Sequence, residues 1–322
     1  MDTGSGDITP TLKARNYFRL SGYWFPMRDL RQARSGVGAA GRELRHDSFT
    51  AGHRFQEVDD IYRWDATLRS HLFEGISRVE VALRSQVAYV LSAHDPMAHR
   101  NPEVFNPKFS AKPKFSAQVM TLIRKRRRRR SDYEQWVLTL NQAIAREQNA
   151  DDAISHQIDE FGDVHIWALV EIIEFLPTIK AFKAMRQPDR QIVSSYFGMA
   201  EPPTLISILE ALNNLRNKTA HHARIWNRNF SRSPALPSAK KYPYFESIPR
   251  GNNSWQKYRL YPLLCSLVYL LEHVENDRVW TNRLIEIIDA YPVIPGYTLH
   301  AAGFPDDWRD LPAWATSTGS TP

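Results

Sequence analysis

The chain has 322 residues, 43% of them hydrophobic, with 42 Lys and Arg against 35 Asp and Glu and a single cysteine, Cys265. This composition supplies a sizeable core and excludes a disordered chain, a collagen-like repeat, a disulfide scaffold and a thiolate metal cluster. The opening MDTGSGDITPTLKARNYF lacks the apolar stretch of a signal peptide, and no run approaches the ~18 apolar residues of a membrane span; the expectation is a soluble, cytoplasmic protein with no membrane partner.

Apolar residues recur at three and four along almost the whole chain, which predicts an all-α fold. Near the N-terminus Tyr17, Phe18, Tyr23, Trp24 and Phe25 read as core anchors. A long helix is expected over 59–91, with Asp59 and Asp60 as its cap and first turn. Another runs from 115 into the basic run, and a third from 132 to about 146. Residues 167–185 read as a core helix that Pro177 kinks or splits. Pro202, Pro203 and Thr204 open a helix over 205 to about 222, and two more follow at 261–275 and 277–291. Residues 34–54, 94–114 and 231–253, rich in Gly, Ser or Pro, read as loops or insertions. No convincing strand pair and no internal repeat appears, so one all-α domain over 1–322 is expected.

Residues 124–130 read RKRRRRR, and without these seven cations the chain carries 35 basic and 35 acidic residues. The net charge of +7 is therefore one local cluster. Arg124, Lys125, Arg126, Arg127, Arg128, Arg129 and Arg130 have two readings: a solvated block of like charge, or a contact to an RNA backbone that carries no sequence specificity.

The 205–222 helix carries a chemically suggestive pattern. At 100° per residue, Leu205, Ile208, Leu209, Leu212 and Leu215 share one arc, and Asn213, Asn217 and His221 stack beside it at i, i+4 and i+8. Arg216 projects from inside the apolar arc, where a charge is costly unless it is paired or faces a shared wet cleft. His222 lies away from the polar row. An arginine, an adjacent asparagine and a histidine four residues on can do phosphodiester chemistry without metal. The imidazole takes the proton of a ribose 2′-hydroxyl or gives one to the leaving 5′-oxygen, and the guanidinium neutralises charge on the non-bridging oxygens. The bland alternative is an ordinary helix C-terminus, where His complements the dipole.

Other sites are poorer. Glu80 with Arg84 and Asp65 with Arg69, each at i, i+4, read as surface salt bridges worth tenths of a kcal/mol. His71, His94, His99, His156, His165 and His273 share no ligand spacing with carboxylates, and no phosphate-binding G-x-x-x-x-G-K-[ST] loop or G-x-S-x-G elbow occurs, so no cofactor and no metal is expected.

LRNKTAHHARIWN at 215–227 closely resembles the signature of Abi-like (abortive infection) proteins of bacteria. These belong to the HEPN superfamily, whose mark is an Arg-x(4 to 6)-His motif late on a helix. ARNYFRLSGYWFPMRD at 14–29, FQEVDDIYRWDATLRSHLFEGISRVEVALRSQVA at 55–88 and AAGFPDDWRDLPAW at 301–314 resemble further family blocks in the same order. Residues 100–160 are the least recognisable. About thirteen residues precede the first block, where family members usually carry a longer helix-forming segment. The resemblance implies a HEPN-like helical bundle with added helices and insertions. It implies a metal-independent RNA endonuclease acting as a toxin or phage-defence effector, usually a homodimer with a composite cleft between motif helices. An antitoxin or regulatory RNA would restrain it. Carried over by position, the motif residues are Arg216, Asn217 and His221, with His222 as second choice and Asn213, Glu80 and Arg84 in support. The alternative is a non-catalytic protein that grips a structured RNA.

Overall fold

The computed structural model describes residues 1–4, 6–30, 45–112, 130–250 and 254–315. Two short helices, α1 (Thr9–Arg15) and α2 (Tyr17–Trp24), lead to a ribbon of β1 (Arg28–Leu30) antiparallel to β2 (Arg45–Phe49), and then to α3 (Phe55–Ser92). The one-turn α4 (Pro107–Ser110) is followed by α5 (Asp132–Glu147), α6 (Asp152–Phe161), α7 (Ile166–Ile172), α8 (Phe175–Ala184) and α9 (Gln187–Tyr196). The chain then forms α10 (Pro202–Ala220), α11 (Tyr261–Glu275) and α12 (Val279–Asp289). The fold is all-α, with the ribbon as its only sheet among the described residues.

α3 is the axis. Its 38 residues span roughly 57 Å at 1.5 Å each, and α2, α7, α8, α9, α10, α11 and α12 all pack on it. Ile61, Leu72, Ile76, Val79, Leu83 and Val87 are fully buried along it, as expected for a helix that is apolar on most of its circumference. Gly75 permits the closest approach. A Cβ there would stand 2.5 Å from the Trp280 ring of α12.

Several expectations need correcting. α3 begins a turn before Asp59, because its first N–H groups find a partner from elsewhere in the chain: Phe55 donates to the Asp2 carbonyl at 2.8 Å. Asp59 is buried instead, accepting from Arg63 at 2.7 Å and paired with Arg15 of α1. Residues 167–185 form two helices, with the break at Ile173 and Glu174 and not at Pro177. A proline ring collides with the carbonyl four residues back, so Pro177 ends the ladder at Ile173 and sits in the first turn of α8. The freed Ile173 carbonyl accepts from Arg84 Nη2 at 2.7 Å. Of the five aromatic anchors only Tyr23 and Trp24 are buried; Tyr17, Phe18 and Phe25 are 58%, 84% and 46% exposed.

Four described helices and the ribbon have no counterpart in the sequence pattern. α1 buries no residue and α6 buries only Ile154, which leaves almost no periodic signal; α4 has one turn, and α9 hides behind Pro188. The helix expected from 115 onward lies outside the described residues, as do Arg124 to Arg129. Arg130 is exposed, just ahead of Ser131, which caps α5 in a reciprocal box with Glu134. Among the described residues no helix is long and apolar enough to cross a membrane.

Candidate functional site

α10 starts on two prolines at its first positions, where no N–H is missed, and lies on α3 through Leu205, Ile208, Leu209, Leu212 and Leu215. Its contacts run antiparallel. Arg216 faces Phe73 and Glu80, whereas Ile225 and Trp226 lie at Asp65.

The C-terminal end of α10 is tightly built. His222 N–H bonds to the Thr219 carbonyl at 3.0 Å and Ala223 N–H to the Lys218 carbonyl at 2.9 Å. This pair of bonds closes a helix around a left-handed residue, normally glycine. Here that residue is His222, at φ 52°, which costs about 1 kcal/mol against glycine. The helix therefore ends before the two histidines, with His221 as its C-cap. Two long-range contacts hold the strained turn. Arg19 Nη1 of α2 donates to the His222 carbonyl at 2.5 Å, and the Asp65 carboxylate accepts the backbone N–H of Trp226 at 2.7 Å and of Ile225 at 3.3 Å.

Asp65 also accepts from the Tyr23 hydroxyl at 2.6 Å and from Arg69. Asp65 and Arg69 are buried, not a surface pair. Burial raises the Asp65 pKa, while Arg69, Tyr23 and the two backbone N–H groups pull it down. Every contact the carboxylate makes is a donor, which favours its charged form against the larger effect of burial.

Glu80 and Arg84 are likewise not a surface pair. Glu80 is buried, takes Arg84 Nη2 at 2.6 Å, and lies 3.7 Å from Arg216 Nε. Burial raises its pKa, and Arg84 and Arg216 oppose that. Arg216, with its side chain 30% exposed, also lies over the Phe73 ring at 5.8 Å. The partner that its place on the apolar arc demands is thus present within the chain.

The polar row faces outward. Asn213 is half-buried, and Asn217, His221 and His222 are exposed. Arg216 and His221 are five positions apart, roughly 7.5 Å and 140° on a helix, and Arg216 is not among the residues that line the groove at His221. An open groove of about 450 Å³ runs between α2 and the end of α10, lined by Asn16, Phe18, Arg19, Gly22, His221, His222, Ala223 and Arg224. The fold thus joins both histidines to Arg19 and Arg224, and leaves Arg216 at Glu80. Arg19 had no local signal, since it meets His222 across 203 residues. Among the described residues no three His, Cys, Asp or Glu side chains gather as a metal site.

The model of the Abi-like protein family matches residues 10–227. The match spans α1 to α10 and closes at Asn227, just past the turn bound by Asp65. No curated protein and no solved structure matches the chain.

Proposed function

The chain belongs to the Abi-like protein family, which points to abortive infection and phage defence, and from that premise we propose a HEPN-type RNA endonuclease acting there as a toxin or defence effector. The reaction is attack of a ribose 2′-hydroxyl on the adjacent phosphorus, giving a 2′,3′-cyclic phosphate and a 5′-hydroxyl, without a metal ion. His221 moves the proton, Arg216 neutralises the non-bridging oxygens, and Asn217 binds the phosphate or orients the imidazole. The observation that carries the reading is the strained, doubly anchored turn after α10. It presents His221 to solvent with no side-chain hydrogen bond among the described residues, and strained backbone of this kind collects at functional sites.

Because Arg216 and His221 stand on different sides of α10, the active form is a homodimer in which one copy's arginine meets the other's histidine across a shared cleft. The Arg124 to Arg130 run adds phosphate contacts, and an antitoxin or regulatory RNA restrains the nuclease. The second reading, an RNA-binding protein that does not cut, is favoured by the same separation. Purified protein with labelled RNA and EDTA distinguishes them: cleavage to cyclic-phosphate ends supports the nuclease, whereas a mobility shift without cleavage supports the binder. Sedimentation of a monomer at micromolar concentration removes the composite cleft.

A further inference from the structure

Phe18 stands 84% exposed on the first turn of α2, although burying a ring of its size would contribute about 1.5–3 kcal/mol. It borders the groove that also holds Arg19, His221, His222 and Arg224. No carboxylate lines this groove among the described residues, and two guanidinium groups do, a lining that suits an anion even with the buried Asp65 carboxylate acting on Arg224 from behind. Both arginines are fixed by one end. Arg19 Nη1 holds the His222 carbonyl at 2.5 Å, and Arg224 Nη1 donates to the Trp226 and Asn227 carbonyls at 2.8 and 3.2 Å. Neither has an ion-pair partner among the described residues. Arg224 lies along the α2 backbone, where a Cβ on Gly22 would stand 3.0 Å from its Nε. A preformed pair of guanidinium groups beside an outward aromatic face fits a phosphate joined to an unstacked base.

We infer that this groove is a subsite for one unpaired ribonucleotide of a single-stranded RNA, with the base stacked on Phe18 and the adjoining phosphate between Arg19 and Arg224, beside His221. The inference rests on the RNA substrate of the proposed function and names its form. A duplex keeps its base faces stacked inside and offers an outward ring nothing to pair with.

The probe is a fluorescein-labelled 2′-O-methyl RNA of about ten nucleotides, which has no 2′-hydroxyl and cannot be cut, used alone and annealed to its complement. By anisotropy the wild type binds the single strand more tightly than the duplex. Phe18→Ala weakens single-strand binding roughly ten- to hundredfold, with little change for the duplex and an unchanged melting temperature, and Phe18→Trp retains it. Wild-type affinity in Phe18→Ala, a preference for duplex, or displacement of the probe by polyglutamate as readily as by unlabelled RNA overturns the subsite. So does a Phe18→Ala variant that alters sedimentation but not RNA binding, since the ring then serves a protein contact. Cleavage of unmodified RNA in EDTA is read separately. Phe18-dependent binding without cleavage removes the nuclease and leaves the subsite; cleavage with Phe18-independent binding does the reverse.

Discussion

The carboxylate of Asp65, in the first half of α3, accepts the backbone N–H of Trp226 at 2.7 Å across 161 residues. It thereby ties the turn that presents His221 and His222 to the central helix of the fold. Asp65→Ala leaves Arg69 buried without its partner and two N–H groups unpaired. It should cost about 3–5 kcal/mol, and Asp65→Asn, which keeps an acceptor, about 1–3 kcal/mol. Urea unfolding measures both, and a loss below about 1 kcal/mol for the alanine variant contradicts the anchoring role.

Glu80 stands between Arg84 and Arg216, 2.6 Å from the first and 3.7 Å from the second. Glu80→Gln should let Arg216 drift. If the protein cuts RNA, kcat should fall about ten- to hundredfold with KM nearly unchanged, because misplacement of a catalytic group acts on the transition state. A wild-type kcat in a folded Glu80→Gln protein means that Arg216 does not depend on this contact.

Arg216→Ala and His221→Ala should each lower cleavage by 10²–10⁴-fold and abolish toxicity in cells, with the melting temperature measured alongside. His222→Gly is the sharper companion. It places glycine at the left-handed position and should leave stability unchanged or raise it by up to about 1 kcal/mol. Retained cleavage in His222→Gly makes His222 a structural residue. A dead His222→Gly with an active His221→Ala transfers the chemistry to the second histidine.

Replacing Arg126 to Arg130 by serine should weaken RNA binding and flatten its dependence on salt, by about one unit of slope for each phosphate that is no longer neutralised. An unchanged slope makes the run a solvated insertion.

His99 is fully buried, with neither ring nitrogen hydrogen-bonded and Asp163 3.8 Å away. Burial, reinforced by Arg100, pushes its pKa from 6.5 down to about 4. The unfolded chain therefore takes up a proton below pH 6.5 that the folded one refuses until about pH 4. This contribution to stability is complete above pH 6.5 and falls by about 1.4 kcal/mol per pH unit through that window. His99→Phe should reduce the slope of unfolding free energy against pH by about that amount between pH 6.5 and 4. An unchanged slope shows that His99 does not titrate this way.

The long helices and their apolar faces were legible in the sequence, because α3, α5, α10 and α11 repeat at three and four over three turns or more, and that period is a local property of the chain. The Arg216, Asn217 and His221 spacing was legible for the same reason, and the family blocks came with it. α1, α4 and α6 were not, since a helix that buries one side chain or none leaves no period to find. Local spacing also misjudged Asp65 with Arg69 and Glu80 with Arg84. The i, i+4 pairing is correct, but burial depends on what packs over a helix, and the segments that cover these pairs are remote from them in the chain. Only tertiary structure turned Phe18 outward, brought Arg19 to the His222 carbonyl, and set Arg216 against Glu80 while His221 faces another groove. A helix of 3.6 residues per turn sends positions five apart in different directions, and which neighbour each one meets is decided by the packing of elements distant in the chain.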